Sequence, residues 1–274
     1  MLFRSIRHAG AGASDKTAGL LEIMHRHDAG HDRNVDAARP NPVEIAKVEL
    51  VVEEHLGDGA GRAAIDLGLE HVDIGVRHIV ALRGDPPGGI GTAYTTHPDG
   101  YRNSAELVAG IKRQHGDIEI SVSAYPEKHP ESPDFDADID FLKAKVDAGA
   151  ARAITQVFFD NDLYFRYLDR VRARGIDIPI VPGIMPMHNF KQARNFVTRA
   201  GTSVPDWLAE KFEGLDDDPE TRKLVAATVA AGQVQKLAKH GVDTFHFYTM
   251  NRADLVFAIS HLLGIRPNGA QKAA

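Results

Sequence analysis

From about residue 74 onward the chain alternates between two hydrophobic periods. Short apolar runs at 78–82, 118–124, 152–159, 178–181 and 244–248 have the length and bounding turn chemistry of buried strands. Between them, stretches at 105–114, 136–148, 162–174, 189–199 and 219–240 repeat apolar residues at helical spacing. In the third of these, Leu163, Phe165, Tyr167, Leu168 and Val171 stand among charged residues, so one side can pack on a sheet. Gly149 and Gly175 supply stop signals after the second and third helices. Strands alternating with helices predict right-handed crossovers and a parallel sheet. No Gly-x-Gly-x-x-Gly turn follows any of these strands, which favours an α/β barrel over an open dinucleotide-binding sheet.

The first 74 residues follow no such rhythm. They hold Phe3 as their one aromatic residue but six histidines, His8, His25, His27, His31, His55 and His71. At 43–52 apolar positions are interrupted by Glu44, Lys47 and Glu49, a pattern that fits either a weak strand or a helix, and 61–69 reads as helix. The chain therefore divides into an atypical segment at 1–74, a regular α/β portion at 75–267 and a short tail at 268–274.

Composition narrows the classes. At 274 residues one barrel fits, since that fold takes about 250. A net charge of -6 with no basic block gives nucleic acid no footprint. The absence of cysteine removes disulfides and thiolate metal sites. His25, His27 and His31 lack a hydrolytic carboxylate-histidine frame, so no metal is expected. No apolar run is long enough to cross a bilayer, and the first residues lack a secretory core, so a cytoplasmic protein is expected.

Chemistry gathers at the C-terminal ends of the strands, where an α/β barrel builds its sites. The first strand ends in Arg83, Gly84 and Asp85, and the second runs into Tyr125-Pro126-Glu127-Lys128-His129-Pro130. The third carries Gln156 in an otherwise apolar run. Its amide needs partners, because an unpaired buried polar group costs about 1–3 kcal/mol. That need is met either by a structural hydrogen bond or by the amide-like edge of a heterocycle. His129 reads as an exposed loop imidazole ahead of a metal ligand, and Trp207 as a packed helix start rather than a cofactor platform. Gly88-Gly89-Ile90-Gly91 lacks the Lys-Ser/Thr of a P-loop.

Six of these segments, 78–87, 123–129, 146–160, 182–196, 214–224 and 245–252, stand in an order that closely resembles bacterial methylenetetrahydrofolate reductase. They read Leu-Arg-Gly-Asp-Pro-Pro, Ala-Tyr-Pro-Glu-x-His-Pro, Asp-Ala-Gly-Ala-x-Arg-Ala-Ile-Thr-Gln, Pro-Gly-Ile-x-Pro-x-x-Asn-Phe-Lys-Gln, Gly-Leu-Asp-Asp-Asp and Phe-His-Phe-Tyr-Thr-x-Asn-Arg. The resemblance implies a (β/α)8 TIM-type barrel with FAD as cofactor, the five strands above being its strands four to eight. It implies reduction of 5,10-methylenetetrahydrofolate to 5-methyltetrahydrofolate with NAD(P)H, with no nucleic-acid or membrane partner and a homo-oligomer allowed.

By the same resemblance, Arg83, Gly84 and Asp85 line the flavin. Asp85 also faces the pterin, where an anion stabilises the cationic iminium that accepts hydride. Ser104, Tyr125, His129, Asp138 and Lys145 are implied to hold the rest of the cofactor. Gln156 and Gln192 are implied to read pterin and nicotinamide in turn, Phe196 to stack on the bound ring, and Arg252 to pair with a folate carboxylate or its aminobenzoyl region.

Departures from the family pattern are equally specific. Ala144 stands where the family usually has an arginine, and Phe141 where it often has an asparagine. The amino-terminal Glu-Phe-Phe-Pro-Pro strand, whose glutamate donates the proton, has no counterpart, and Glu44, Glu49, Glu53 and Glu54 are candidates by residue type alone. Strands one to three are not recognisable, so both a complete and an incomplete barrel are open to this chain. The composition of 1–74 fits a frameshifted, misassigned or fused stretch. The rival reading is an impaired remnant of the family that binds flavin and folate weakly or not at all. A third is another flavin-dependent barrel, such as a proline-dehydrogenase relative, which lacks the paired glutamines.

Overall fold

A computed structural model describes residues 44–45, 50–54, 77–83, 95–96, 100–250 and 252–264. Its strands are β1 (Glu44–Ile45), β2 (Leu50–Glu54), β3 (His78–Arg83), β4 (Glu119–Ala124), β5 (Arg152–Thr155), β6 (Ile180–Val181), β7 (Gly183–Ile184) and β8 (Thr244–Phe247). Its helices are α1 (Ser104–Gln114), α2 (Phe135–Asp147), α3 (Asn161–Ala173), α4 (Phe190–Arg199), α5 (Asp206–Glu210), α6 (Pro219–Lys239) and α7 (Ala253–Leu262).

All the ladders are parallel. One sheet runs β2-β3-β4-β5-β6 and the other β1-β8-β7. β6 and β7 are two halves of one strand interrupted by Pro182, which has no N–H to give to a ladder but whose carbonyl accepts from His246 N at 3.0 Å. Joined there, the strands follow one another in sequence order from β2 to β8, with β1 beyond β8. A doubly wound sheet reverses its order at a switch point; this one does not. The stretch at 43–52, ambiguous between strand and helix, resolves into parts of β1 and β2, each hydrogen-bonded to a strand of the regular portion.

The strands bury both faces, as parallel sheets do. Ile79, Ala81, Ile120, Val122, Ala153, Ile180, Ile184 and Phe245 point to the helices and share the main core with Leu107, Ile111, Ile139, Leu142, Tyr167, Val171, Val234 and Leu237. The alternate positions Val80, Ile154 and Val181, with Leu82 against them, make a smaller cluster on the opposite face. Helix starts are set by short polar side chains that satisfy the first free N–H groups. Asn103 caps α1 through Glu106 N at 3.0 Å, Asp134 caps α2 through Ala137 N at 2.8 Å, and Asp218 caps α6 through Thr221 N at 2.9 Å. Gly175 closes α3 at φ +67°, a conformation that needs glycine.

One boundary differs from the sequence pattern. The apolar run at 152–159 leaves the sheet at Thr155, and Val157 and Phe159 turn into a third cluster with Met185, Met187, Val197 and Leu208. Apolar character measures burial, and burial here continues past the end of the ladder.

Candidate active site

The strand ends β3, β4 and β5 are neighbours, so the loops that follow them meet at one edge of the sheet. At the end of β3, Arg83 donates two hydrogen bonds to Glu131, Nη1 to Oε2 at 2.6 Å and Nη2 to Oε1 at 2.8 Å. This planar fork holds the Glu131 carboxyl below its ordinary range. After β4, the 125–132 loop is tied to itself. Lys128 N donates to Tyr125 O at 3.0 Å, and Lys128 Nζ donates to His129 O at 3.0 Å and also to Ser132 O. Lys128 takes φ +71°, a conformation costly for a residue with a side chain.

That turn presents His129. Its ring lies edge-on to Tyr125, with centroids 4.6 Å apart. Its Nδ1 accepts from Glu131 N at 3.1 Å, and burial, the largest influence, lowers its pKa. A neutral imidazole that accepts at Nδ1 carries its proton on Nε2, so the loop offers a neutral donor. Beneath it, the buried Asp138 of α2 accepts from Ser132 Oγ at 2.8 Å and His129 N at 3.2 Å, anchoring the loop.

Lys145 is turned inward. It is 2% exposed, and its Nζ donates to Ser123 O at 2.6 Å and Oγ at 3.3 Å, 5.0 Å from the Phe141 ring. Burial lowers it to about 8, partly offset by Asp138. Ser104 is buried in the first turn of α1. The Lys145 charge acts on the His129 imidazole, behind burial and the charges of Glu131, Arg83 and Asp138.

A second group forms after β5, β7 and β8. Gln156 directly follows β5; its N donates to Ala124 O at 2.7 Å and its Oε1 accepts from Val157 N at 2.9 Å. The structural hydrogen bond weighed from sequence is thus present at the oxygen, while the amide nitrogen has no hydrogen bond among the described residues. Gln156 and Tyr125 line one crevice with Gly201 and Thr202. Phe196 of α4 packs against the cluster that contains Val157 and Phe159. Gln192 is exposed in the first turn of α4, exchanging hydrogen bonds with Asn189: Asn189 Nδ2 to Gln192 Oε1 at 3.1 Å, and Gln192 N to Asn189 Oδ1 at 3.3 Å. Arg252 follows β8, where Asp254 accepts from its Nε at 3.0 Å and Nη2 at 2.7 Å. The guanidinium holds Asp254 down to about 2, while burial and, after it, the same guanidinium lower His188.

Gly84, Asp85 and Glu49 lie outside the described residues, as does the helix expected at 61–69. Three participants carried no role in the sequence reading: Glu131, His246 and Tyr248. Tyr248 donates its hydroxyl to Thr155 O at 2.9 Å and lies edge-on to His246 at 4.7 Å. Burial pushes its phenol up and the His246 imidazole down to about 4. The signal for both was their alternation along the last strand, where His246 takes the face opposite Phe245. Among the described residues no helix is long and apolar enough to cross a membrane, and no group of three or more His, Cys, Asp or Glu is placed to hold a metal.

The family model described as Methylenetetrahydrofolate reductase matches residues 60–264. The chain is 44% identical over 267 residues to a 5,10-methylenetetrahydrofolate reductase of Pectobacterium carotovorum subsp. carotovorum, covering 96% of this chain and 80% of that protein. It is 52% identical over 193 residues to the 5,10-methylenetetrahydrofolate reductase of Escherichia coli (strain K12), covering 70% of this chain and 62% of the other. Methylenetetrahydrofolate reductase (NADH) 1 of Arabidopsis thaliana is 35% identical over 215 residues, which are 73% of this chain and 36% of that one. A solved structure from Clostridium thermocellum, titled as an uncharacterized protein that binds two copies of 5-methyl-5,6,7,8-tetrahydrofolic acid, covers 82% of this chain and 95% of its own at 12% identity and a TM-score of 0.43, a likeness too slight to carry an argument.

Proposed function

Because this chain belongs to the methylenetetrahydrofolate reductase family, we propose that it reduces 5,10-methylenetetrahydrofolate to 5-methyltetrahydrofolate, using FAD and NAD(P)H. The observation that carries the reading is the convergence of Arg83, Tyr125, His129 and Gln156 at the C-terminal ends of three adjacent parallel strands, within the span that the family model matches. A bound FAD would supply the hydride-relay chemistry between nicotinamide and folate, with Tyr125 and His129 among the residues that would hold it.

The donor set fits such a cofactor. His129 offers a neutral N–H and Tyr125 a ring beside it, whereas the Arg83 fork turns to a cofactor only if it leaves Glu131. Lys145 reaches a phosphate only if it leaves Ser123, so its contribution here is to the packing beneath the loop. Gln156 has an amide nitrogen to give to the carbonyl edge of a pterin or a nicotinamide, as one site used in turn by two substrates requires. The reaction also needs a proton on the folate nitrogen. Backbone register sets Glu54 opposite Arg83 at the C-terminal end of its strand, whereas Glu44 pairs with Thr244 at the start of β8. Glu53, whose register partner Leu82 lies on the face away from the helices, and Glu54 are the two carboxylates we propose as proton donor.

The test is the visible spectrum of the purified chain, followed by anaerobic mixing of the reduced protein with 5,10-methylenetetrahydrofolate. Near-stoichiometric FAD that reoxidises on mixing, with 5-methyltetrahydrofolate formed, is the expected result. Colourless protein that takes up no added FAD would overturn it, and would mark the chain as an impaired member of the family.

A further inference from the structure

The ring of Tyr248 does not stay over its own strand. Its N–H donates to Ile184 O of β7 at 2.9 Å, as a ladder residue would, but its hydroxyl reaches Thr155 O at the end of β5, also at 2.9 Å. Between β8 and β5 lies the β6/β7 strand, and the ring crosses it at Gly183. A Cβ there would lie 2.5 Å from Tyr248 Cε2 and 2.4 Å from Thr155 O, closer than carbon atoms approach. Glycine is thus the residue that lets the ring pass. Thr155 completes the arrangement, its Oγ1 accepting from Gly183 N at 2.9 Å.

The bond formed by this reach has a particular consequence. The carbonyl of Thr155 and the N–H of Gln156 belong to one peptide plane. Tyr248 Oη holds the carbonyl, and Ala124 O holds the N–H at 2.7 Å. With both ends tied to different strands, that plane cannot rotate without breaking a hydrogen bond, and the direction in which the Gln156 side chain leaves the backbone is set. The N–H end is held by the last rung to β4, and the carbonyl end is held by Tyr248 from β8.

We infer that Tyr248 is a positioning residue, which through the Thr155–Gln156 peptide aims the Gln156 amide at the ring that enters the site. The role of Gln156 rests on the function proposed above; the clamp itself does not. No charge is involved: with its phenol pushed up by burial, Tyr248 stays a donor throughout the working range. The His246 ring packed edge-on against it is neutral there too, and no other titratable side chain is needed to hold the bond.

The variant that isolates the hydroxyl is Tyr248→Phe, which keeps the ring over Gly183. Hydrogen exchange of the Gln156 amide in the full-length chain is read first. Exchange is expected to rise about tenfold or more while the melting temperature stays within a few degrees, and unchanged exchange would overturn the clamp. The second reading is the folate KM and kcat in the Tyr248→Phe, Gln156→Ala and doubly substituted chains. Each single change is expected to raise KM for the folate about tenfold, with little further rise in the double variant, and the pH profile of Tyr248→Phe is expected to overlay the unsubstituted one. Independent, multiplying effects would overturn the coupling. If the unsubstituted chain neither binds FAD nor turns over folate, the proposed function fails, while the exchange measurement still decides the clamp.

Discussion

Burial without charge is the common state of the site's histidines. His246 is the sharpest case, lowered by desolvation from 6.5 to about 4. Its folded pKa lies below its unfolded one, so the unfolded chain binds more protons through that interval. The stability it contributes is complete above about pH 6.5 and is lost as pH falls toward 4. A drop in melting temperature of about 5 °C between pH 7 and 5 is expected from this group alone. Replacing it, His246→Gln, is expected to flatten the decline in thermal melts across that range; a slope equal to the parent's would assign the decline elsewhere. Chemistry supplies the other test at this scale. With Glu53→Gln and Glu54→Gln made separately, one of the two is expected to slow folate-dependent flavin oxidation by about 10²–10⁴-fold, the range for a lost general acid, while leaving NAD(P)H-dependent flavin reduction intact. Equal loss in both half-reactions, or no loss in either variant, would remove both glutamates from the proton-transfer role.

At the scale of elements, most boundaries were written locally. Asn103, Asp134, Asp160 and Asp218 each stand just before a helix and accept from its first turn, and Gly175 ends one. Such signals act over three or four residues, which is why the helices expected at 105–114, 162–174 and 219–240 emerge within a residue or so of those limits. For the cap of the 21-residue α6, Asp218→Ala is expected to cost about 1 kcal/mol in chemical denaturation, with no change in flavin content. The run at 152–159 shows the opposite situation. Nothing local distinguishes Ile154, which stays in the strand, from Val157, which leaves it; what separates them is the cluster each one packs into.

Across the whole molecule, the question is what covers the outer strands of the regular portion. β3 and β8 are flanked by β2 and β1, both drawn from the stretch that sequence pattern left undecided. Its apolar positions, interrupted by Glu44, Lys47 and Glu49, fit a strand only once a neighbour supplies the hydrogen bonds, and a helix equally well without one. Removing residues 1–56 takes away both strands and bares two sheet edges, which templates aggregation. The shortened chain is expected to shift from the soluble to the pelleted fraction on expression, and a soluble shortened chain with the parent's near-ultraviolet circular dichroism would show that β1 and β2 are dispensable.

By itself the sequence determined the alternation of helices and strands, the caps, and which residue types stand at the strand ends, because each depends on neighbours a few positions away. The candidate site was partly readable for the same reason: Arg83, Tyr125, His129 and Gln156 are marked by being polar where an apolar run stops. Tertiary structure alone decided what those side chains do. It gave Arg83 to Glu131 across 48 residues, turned Lys145 inward to Ser123 across 22, and carried Tyr248 over Gly183 to a carbonyl 93 residues away. A hydrogen bond between distant positions depends on which strands lie side by side and on the space a glycine leaves between them, and neither is a property of any short stretch of chain.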